Sequence, residues 1–289
     1  MMEEKTICLI LNYNDYRTTI EMVNRIKDYK TLDQVLVVDN YSTDHSFEQL
    51  KQKFGLNKKV ILIQTDNNGG YGFGNNFGVK FAKEKLKAKY VLLSNPDVSF
   101  SESMVEKLVS YMKKTDAAVV SARQRVNSRL IENPGWKIPT AWEWVLIESR
   151  LHKYAAKKYY YPKKYFEQSV SQVECVRGAN FLLDATKFLN VGGYDERMFL
   201  YGEETLLGYK LKKEHYKSYV LNDVYYDHAV SSSITKSIPS VIKQIEITHN
   251  SKLVFFKYYL KINPIYLYFC KKIFNIMIYR KKRRLNNSK

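Results

Sequence analysis

Val-Leu-Val-Val-Asp, at positions 35–39, is a short apolar run that ends in a polar residue, and the polar stretch Asn-Tyr-Ser-Thr-Asp follows it at positions 40–44. An apolar run of this length is typical of a strand that is buried on both faces of a parallel sheet. Similar runs occupy residues 6–11, 60–64 and 90–95, and each of them also ends in polar side chains. These four segments are therefore predicted to be buried strands.

Helix-like segments lie between and after these strands, at residues 19–29, 75–86 and 102–112. An alternation of strands and helices predicts an α/β fold with a mostly parallel central sheet and flanking helices. In such a sheet, ligands bind in the crevice beyond the carboxyl ends of the strands. The polar residues at the strand ends are therefore the first candidates for a binding site.

Asp39 is one of these candidates, because its carboxylate can accept hydrogen bonds from a base or a ribose. The stretch that begins at Asp39 is equally compatible with an ordinary turn, in which Ser42, Thr43 or Asp44 caps the next helix. Both interpretations fit the residues.

A glycine-rich segment, residues 68–78, opens the second predicted helix. Backbone N–H groups at a helix N-terminus favour phosphate. The segment matches neither the Walker A motif nor the dinucleotide fingerprint. By itself it is weak support for a phosphate site.

Two acidic clusters carry the strongest chemical signal. Asn95-Pro96-Asp97 places a carboxylate just past a buried strand, where Mg²⁺ or Mn²⁺ can be held to neutralise a diphosphate. Glu203 and Glu204 begin a predicted helix and can simply interact with its dipole. Alternatively, one of them is the general base that an acceptor hydroxyl requires when it displaces a nucleotide diphosphate from an anomeric carbon.

Residues 133–172 mix aromatic and basic side chains, including Trp136, Trp142 and Trp144. We interpret this stretch as an irregular or helical insertion. It is either a flexible lid over the acceptor, in which Trp142 and Trp144 contact sugar rings, or a surface subdomain whose aromatic residues fill their own core.

The formal net charge of +18 is concentrated near the C-terminus. No acidic residue follows Glu246, whereas eleven lysines and arginines do, which leaves +7 for the rest of the chain. A basic excess that belongs mainly to a tail makes a nucleic-acid-binding protein a minor alternative.

The tail from Pro264 onward has the pattern of an amphipathic helix. Its apolar arc contains Ile265, Leu267, Phe269, Ile273, Phe274, Ile276, Met277 and Ile278, and basic residues follow at 280–284. Such a helix can lie in the headgroup region of an anionic bilayer. The alternative is a helix that packs on the domain and leaves its basic end in solvent.

The three cysteines, Cys8, Cys175 and Cys270, are odd in number and far apart. This spacing argues against a disulfide framework or a zinc cluster. The N-terminus lacks the pattern of a secretory signal, and no apolar stretch reaches the roughly 18 residues of a transmembrane helix. We therefore expect a cytoplasmic protein that is peripheral on the inner face of the cell membrane.

Eight blocks occur in an order that resembles the family 2 glycosyltransferases of GT-A fold, and especially the rhamnosyltransferase-like branch of bacterial polysaccharide assembly. The resemblance covers about residues 5–233. The blocks are Leu11-Asn12-Tyr13-Asn14, residues 38–44, residues 68–78, Asn95-Pro96-Asp97, Arg177-Gly178-Ala179, residues 192–196, Glu203-Glu204 and Asp227-His228.

This resemblance implies a role for each matching position. Asn12, Asn14 and Asp39 would bind the nucleoside, Gly70 and Asn76 would line the diphosphate side, Asn95 would lie beside the metal, and Gly178 and Ala179 would border the donor sugar. Glu204 would be the catalytic base of an inverting transfer, with Glu203 as its neighbour. Asp97 would hold Mn²⁺ or Mg²⁺, and His228 is either a further metal ligand or structural. Many relatives have aspartate at the positions of Asn95 and Glu204.

The resemblance also implies an activity and a domain organisation. Residues 1–246 would form the GT-A domain, with a nucleotide-binding half at about 1–100 and a catalytic, acceptor-binding half at about 101–246. Residues 247–289 would form the amphipathic, membrane-associating tail. The expected reaction moves a sugar from dTDP-rhamnose or a UDP-hexose to a lipid-diphosphate-linked oligosaccharide, in capsular or other cell-surface polysaccharide synthesis. A catalytically silent nucleotide-sugar-binding subunit is the alternative.

Overall fold

The computed structural model describes residues 4–147, 152–229 and 240–286. Its first part alternates strands with helices: β1 (Lys5–Asn12), α1 (Tyr16–Ile26), β2 (Gln34–Asp39), α2 (Ser46–Phe54), β3 (Val60–Gln64), α3 (Tyr71–Glu84) and β4 (Ala88–Ser94). The four predicted strands are confirmed, with ends that differ by at most two residues. Helix α2 had no predicted bounds; it is held by its buried residues Leu50 and Phe54.

These four strands pair in parallel in the order β3-β2-β1-β4. Their carboxyl ends therefore meet at one edge of the sheet, where Asn12 of β1 lies beside Asp39 of β2. Apolar layers cover both faces of the sheet: Met22 and Leu108 belong to one layer, and Val79 and Phe188 belong to the other.

The second part of the domain extends this sheet. Its elements are β5 (Val98–Ser99), α4 (Glu102–Lys114), β6 (Ala117–Val126), β7 (Arg129–Leu130), β8 (Gly135–Trp136), α5 (Ala141–Ile147), α6 (His152–Tyr159), β9 (Val170–Val173), β10 (Cys175–Val176), β11 (Asn180–Asp184), α7 (Ala185–Asn190), α8 (Glu203–Lys213) and β12 (Lys217–His228). Strand β11 lies antiparallel between β4 and β6. Strand β12 runs parallel to β6 and places His228 opposite Val98 of β5.

The insertion at residues 133–172 is largely helical and irregular, as predicted, with α5, α6 and a 3-10 turn at Lys163–Phe166. Its last residues differ from that expectation. They form β9, which pairs antiparallel with β12 and so belongs to the main sheet.

The C-terminal segment consists of α9 (Val241–Tyr258) and α10 (Pro264–Asn286). Helix α9 crosses position 246, so the expected domain boundary falls inside a helix. The end of the range covered by the family resemblance, residues 230–233, lies outside the described residues. Helix α10 begins at Pro264, as the sequence pattern predicts.

Only part of the predicted apolar arc of α10 faces outward. Cys270 and Phe274 are fully buried in a cluster with Trp144, Phe255 and Phe256, and Leu267, Ile273 and Met277 pack against the same cluster. Ile265, Tyr268, Phe269, Ile276 and Tyr279 are exposed. The helix therefore packs on the domain and also presents apolar and aromatic side chains to its surroundings.

Two further expectations can be compared with the structure. Within the described ranges, no helix combines the length and the apolar character that crossing a bilayer requires. Cys8, Cys175 and Cys270 are all buried free thiols, in agreement with the prediction that they form no disulfide framework.

Candidate active site

A cavity of about 470 Å³ opens at the carboxyl edge of the sheet. Its wall combines strand ends of the first part with loops of the second. The lining residues are Leu11, Tyr13, Asp15, Asn40, Asn68, Gly70, Tyr71, Asn95, Pro96, Asp97, Gln124, Trp136, Arg177, Gly178, Ala179, Phe199, Leu200, Tyr201, Gly202, Glu203, Glu204 and His228. Eight of the twelve residues predicted for the site are in this wall, and the two acidic clusters, about 100 residues apart in the chain, face one space.

Asp97 and His228 form a direct pair in this cavity. The Asp97 Oδ2 atom lies 3.1 Å from His228 Nε2, and His228 Nδ1 lies 3.0 Å from Gln124 Nε2. In a neutral imidazole, this arrangement has Nδ1 accepting from Gln124 and Nε2–H donating to Asp97. The antiparallel pairing of β12 with β5 brings the two residues together, which sequence spacing alone does not reveal.

The donor atoms of this pair fit a divalent cation. A carboxylate oxygen suits Mg²⁺ and Mn²⁺, and an imidazole nitrogen that carries no proton is a common metal ligand. A cation beside Asp97 would therefore take the place of the Nε2 proton of His228, and the ring proton would lie on Nδ1. Across the part of the chain that the structure describes, no group of three His, Cys, Asp or Glu residues is arranged to hold a metal ion. A cation here would therefore take its remaining ligands from water or from a bound diphosphate.

Glu203 is buried, with 5% of its surface exposed. Its Oε1 atom has no hydrogen-bond partner among the described residues. Burial, followed by the negative charge of Glu204, raises the pKa of the Glu203 carboxyl. A buried carboxylate without a partner is costly, and such groups are often found in functional sites.

Glu204 is partly buried beside Arg177 and Gly178. Burial raises the pKa of its carboxyl, and this effect is opposed by backbone N–H groups and by the charge of Arg177. Gly178 allows the approach, because a Cβ atom there would lie 2.6 Å from Glu204 Oε1. A carboxyl group with a raised pKa is a better proton acceptor than an exposed one.

Asn12 and Asp39 do not line the cavity; both are buried, and they belong to a hydrogen-bond network that reaches the surface at Gln64. Asn12 Nδ2 donates to Asp39 Oδ1 at 2.7 Å, and Thr19 Oγ1 donates to Asn12 Oδ1 at 2.8 Å. Asp39 Oδ2 accepts from Ser42 N and from Gln64 Nε2, both at 2.9 Å. We call these five residues the Asn12–Asp39 network; it fixes the two strand ends.

Asn14 and Asn76 also lie outside the cavity wall. The Asn14 side chain bonds to the backbone and hydroxyl of Thr43. Asn76 Nδ2 donates to Tyr194 O, and Asn76 Oδ1 accepts from Tyr194 N at 2.8 Å. Asn76 thus joins α3 to Tyr194, which follows the turn at Gly192 and Gly193; its role at a diphosphate site stays a prediction.

Gly70 lines the cavity just before α3 and has a φ of +94°. A Cβ atom there would lie 2.2 Å from the carbonyl oxygen of Phe199, and Tyr71 N donates to the same carbonyl at 2.9 Å. The glycine is needed because two distant backbone segments meet at this point.

The structure adds residues that sequence reasoning had not selected. Gln124 and Tyr13 lie in the wall, and Arg177, noted before only as part of a motif, faces Glu204. Trp136 is the lining tryptophan of the insertion, and its Nε1 donates to Thr205 Oγ1 at 3.1 Å. Trp144 instead belongs to the C-terminal apolar cluster, so its predicted place in a flexible lid is not supported.

Comparisons with known proteins agree with this architecture. The sequence model of the family described as "Glycosyl transferase family 2" matches residues 8–173. A hexosyltransferase of low-salt glycan biosynthesis, Agl10 of Haloferax volcanii, is 24% identical over 215 residues, 74% of this chain and 64% of the relative. The N-acetylglucosaminyl-diphospho-decaprenol L-rhamnosyltransferase of Mycobacterium tuberculosis is 29% identical over 195 residues, 62% of this chain and 61% of the relative.

A solved structure shows the same fold. The mannosyltransferase PcManGT from Pyrobaculum calidifontis, in complex with GDP-Man and Mn²⁺, matches 91% of this chain and 66% of its own length, with a TM-score of 0.59 and 12% identity. The expected GT-A fold is therefore confirmed. The chain spans less than two thirds of the length of each of these three proteins.

Proposed function

This chain belongs to glycosyl transferase family 2, and from that premise we propose that it transfers a sugar from a nucleotide-diphosphate donor with inversion at the anomeric carbon. One observation carries the proposal: the Glu203–Glu204 carboxylates and the Asp97–His228 pair line the same cavity. A displacement at an anomeric carbon needs a base for the incoming hydroxyl and charge stabilisation for the departing diphosphate. The Glu203–Glu204 cluster would supply the base, and the Asp97–His228 pair would supply the charge stabilisation.

Glu204 is the proposed base. Its carboxylate accepts the proton of the acceptor hydroxyl while that oxygen bonds to the anomeric carbon, and the bond from that carbon to the diphosphate oxygen breaks. The positive charge of Arg177 opposes the rise in the pKa of Glu204 and so favours the ionised form of the base. Glu203 lies next to it as the buried neighbour.

Asp97 and His228 are the proposed protein ligands of Mn²⁺ or Mg²⁺. When bound, such a cation neutralises the charge that develops on a diphosphate leaving group. Asn95 lies beside this pair in the cavity wall, and an amide oxygen also suits a hard cation.

The proposed donor is dTDP-rhamnose or a UDP-hexose. The names of the relatives, an L-rhamnosyltransferase and a hexosyltransferase, support this range. Gly178 and Ala179 line the cavity next to Glu204 and would border the donor sugar, while the Asn12–Asp39 network would hold the strand ends below the nucleoside.

The proposed acceptor is a lipid-diphosphate-linked glycan of cell-surface or capsular polysaccharide synthesis at the inner face of the membrane. The decaprenol-linked acceptor in the name of the mycobacterial relative supports a lipid carrier. The exposed residues Tyr268, Phe269 and Tyr279 of α10, together with the basic residues of the tail, support contact with an anionic bilayer.

A donor screen tests the proposal. Thermal unfolding of the purified chain is followed with dTDP-rhamnose, UDP-glucose and UDP-N-acetylglucosamine, each with and without Mn²⁺. A cognate donor at a hundred times its dissociation constant adds about 2.7 kcal/mol to the free energy of unfolding. We expect one donor to stabilise the chain only when metal is present.

Turnover then separates an enzyme from a silent binding subunit. Release of the nucleotide diphosphate on addition of a lipid-linked acceptor, with inverted anomeric configuration of the product by NMR, is the expected result. Stabilisation by a donor without any turnover would favour the silent subunit, and no stabilisation by any donor would contradict the proposal.

A further inference from the structure

The loop of residues 195–202, which we call the 195–202 loop, leads directly into the catalytic carboxylates of α8. Phe199, Leu200, Tyr201 and Gly202 all line the cavity. Gly202 has a φ of +90° and is the N-cap residue of α8, which begins at Glu203. The position of this loop therefore fixes where Glu203 and Glu204 enter the cavity.

Helix α9 holds the middle of this loop from outside the cavity. Ser251 Oγ donates to the backbone carbonyl of Leu200 at 2.9 Å. Ser251 is buried, with 2% of its surface exposed. Leu200 lines the cavity, so this hydrogen bond joins α9 to the cavity wall.

The residue that follows α9 holds the start of the same loop. Tyr259 Oη donates to Asp195 Oδ2 at 2.7 Å, and Arg197 Nε donates to Asp195 Oδ1 at 2.9 Å. The Arg197 guanidinium also lies over the Tyr258 ring, 3.8 Å from its centroid. Tyr259 in turn accepts at its carbonyl from Tyr209 Oη of α8, at 2.9 Å.

The C-terminal apolar cluster supports the end of the loop. Trp144 packs edge-on against Phe255 of α9, with ring centroids 5.1 Å apart, and its ring would lie 3.5 Å from a Cβ atom at Gly202. Phe274 of α10 is buried in the same cluster. The far side of the loop meets Tyr71 N through the Phe199 carbonyl, so the loop is enclosed on both sides.

From these contacts we infer that α9 and α10 are part of the catalytic apparatus, with Ser251 and Tyr259 as positioning residues that hold the 195–202 loop. The inference rests on the proposed function, because it assigns these residues an effect on sugar transfer. It gives these helices a role beyond the membrane association that was expected for residues 247–289. Neither residue lines the cavity, so both act through the loop rather than on the substrate.

The test uses the full chain and single-atom changes. Ser251→Ala and Tyr259→Phe each remove one hydroxyl and keep most of the packing. We expect the kcat for transfer to fall about five- to tenfold in each variant, the size of effect that one lost hydrogen bond gives when it is felt at the transition state. The KM for the donor should change less than twofold, because the proposed nucleoside-binding strands are elsewhere.

Two matched variants control for nonspecific effects. Tyr111→Phe also removes a tyrosine hydroxyl, on α4, where the ring packs against Tyr219 rather than against the 195–202 loop, and it should keep the wild-type kcat. Ser251→Thr retains a hydroxyl and should restore most of the activity that Ser251→Ala loses. A purely structural role would lower the unfolding temperature without this pattern in kcat.

Limited proteolysis provides a measurement that does not depend on activity. Trypsin should cut after Arg197 at least about fivefold faster in Ser251→Ala and Tyr259→Phe than in Tyr111→Phe, because the loop is less restrained. Wild-type kcat together with unchanged cleavage in the first two variants would overturn the inference. Absence of turnover in the wild-type chain, with faster cleavage in those variants, would contradict the proposed function and leave the bracing of the loop supported.

Discussion

The Asn12–Asp39 network and the Glu203–Glu204 cluster, on two sides of the ligand crevice, differ in how far their buried polar groups are hydrogen-bonded. On the side of the Asn12–Asp39 network, both side-chain oxygens of Asp39 accept hydrogen bonds from neighbouring protein groups. On the acidic side, Glu203 Oε1 is buried without a partner among the described residues, and the pKa values of Glu203 and Glu204 are both raised by burial. The Asp39 carboxylate is fully hydrogen-bonded before any ligand binds, whereas the acidic side keeps a buried carboxyl oxygen without a hydrogen-bond partner among the described residues.

This difference separates stability from chemistry. A fully bonded buried network stabilises the fold and fixes geometry, whereas a desolvated carboxyl destabilises the fold and gains reactivity. Substitutions in the Asn12–Asp39 network should therefore lower the free energy of unfolding. Substitutions in the acidic cluster should remove activity and leave stability unchanged or improved.

The largest effect is expected for Glu204→Gln. The amide cannot accept the acceptor proton, so kcat should fall about a thousandfold, within the usual range for loss of a general base. Donor binding, measured by thermal shift, should persist, and the unfolding temperature without ligand should not decrease. Glu214→Gln, at the exposed end of α8, is the matched control. Turnover of Glu204→Gln near the wild-type rate would remove the base assignment.

The next effect concerns the Asp97–His228 pair. Asp97→Asn should weaken Mn²⁺-dependent donor binding by roughly 100-fold, because even residues behind the metal ligands change metal affinity 10- to 100-fold. Calorimetric titration of donor at fixed Mn²⁺ measures this change. Asp223→Asn, an exposed substitution on β12, should bind normally. Donor binding that is equally tight in chelator and in Mn²⁺ would argue against a metal site.

In the Asn12–Asp39 network, Asp39→Asn should lower the free energy of unfolding in addition to any effect on activity. The two carboxylate oxygens of Asp39 together accept hydrogen bonds from Asn12, Ser42 and Gln64, whereas the asparagine amide keeps only one acceptor oxygen and places an NH₂ group at the position of the second. We therefore expect a loss of about 2 kcal/mol in the free energy of unfolding. Urea denaturation measures it, and Asp223→Asn should stay within about 0.5 kcal/mol of wild type. An unchanged midpoint for Asp39→Asn would break the comparison between the two sides.

The smallest effect is a pH dependence of the free energy of unfolding, which comes from Asp195. This residue is buried like Asp39 but lies in the 195–202 loop. Burial opposes ionisation of its carboxyl, yet hydrogen bonds from Arg197 and Tyr259 outweigh burial and lower the pKa to about 2 from the ordinary value of 3.8. Because the folded-state pKa is the lower one, the ionised carboxylate stabilises the fold above pH about 4, and this contribution is lost as the pH falls toward 2.

Unfolding free energies at several pH values test this sign. The difference between wild type and Asp195→Asn should shrink by about 1–2 kcal/mol between pH 5 and pH 2. A difference that stays constant over this range would show that Asp195 is not ionised in the way proposed.

The sequence predicts the parallel half of the fold well because its strands are continuous apolar runs that end in polar residues. It does not reveal that β11 inserts antiparallel between β4 and β6, since Asn180–Asp184 reads like any buried strand. The helical pattern of α10 likewise predicts an apolar arc, but it does not predict which part of that arc packs against Phe256 of α9. Both features depend on long-range packing.

The site shows the same division. Family resemblance indicates Glu204, Asp97 and Gly178, and the structure places them in one cavity. It also indicates Asn76, whose side chain is hydrogen-bonded to the backbone of Tyr194. Local motifs cannot distinguish a polar residue that faces ligand from one that bonds to a turn more than 100 residues away. Ser251 and Tyr259 carry no motif signal, and only the fold brings them to the loop.

The antiparallel position of β11 has a consequence for how the chain is made. One edge of β4 has no partner until residues 180–184 have been synthesised, so a nascent chain of the first 100 or so residues exposes the backbone of Val91, Leu92 and Leu93 as an open sheet edge. Open apolar edges promote aggregation. The first 100 or so residues are therefore expected to need the rest of the polypeptide in order to remain monomeric, and fragments that end before β11 should be poorly soluble.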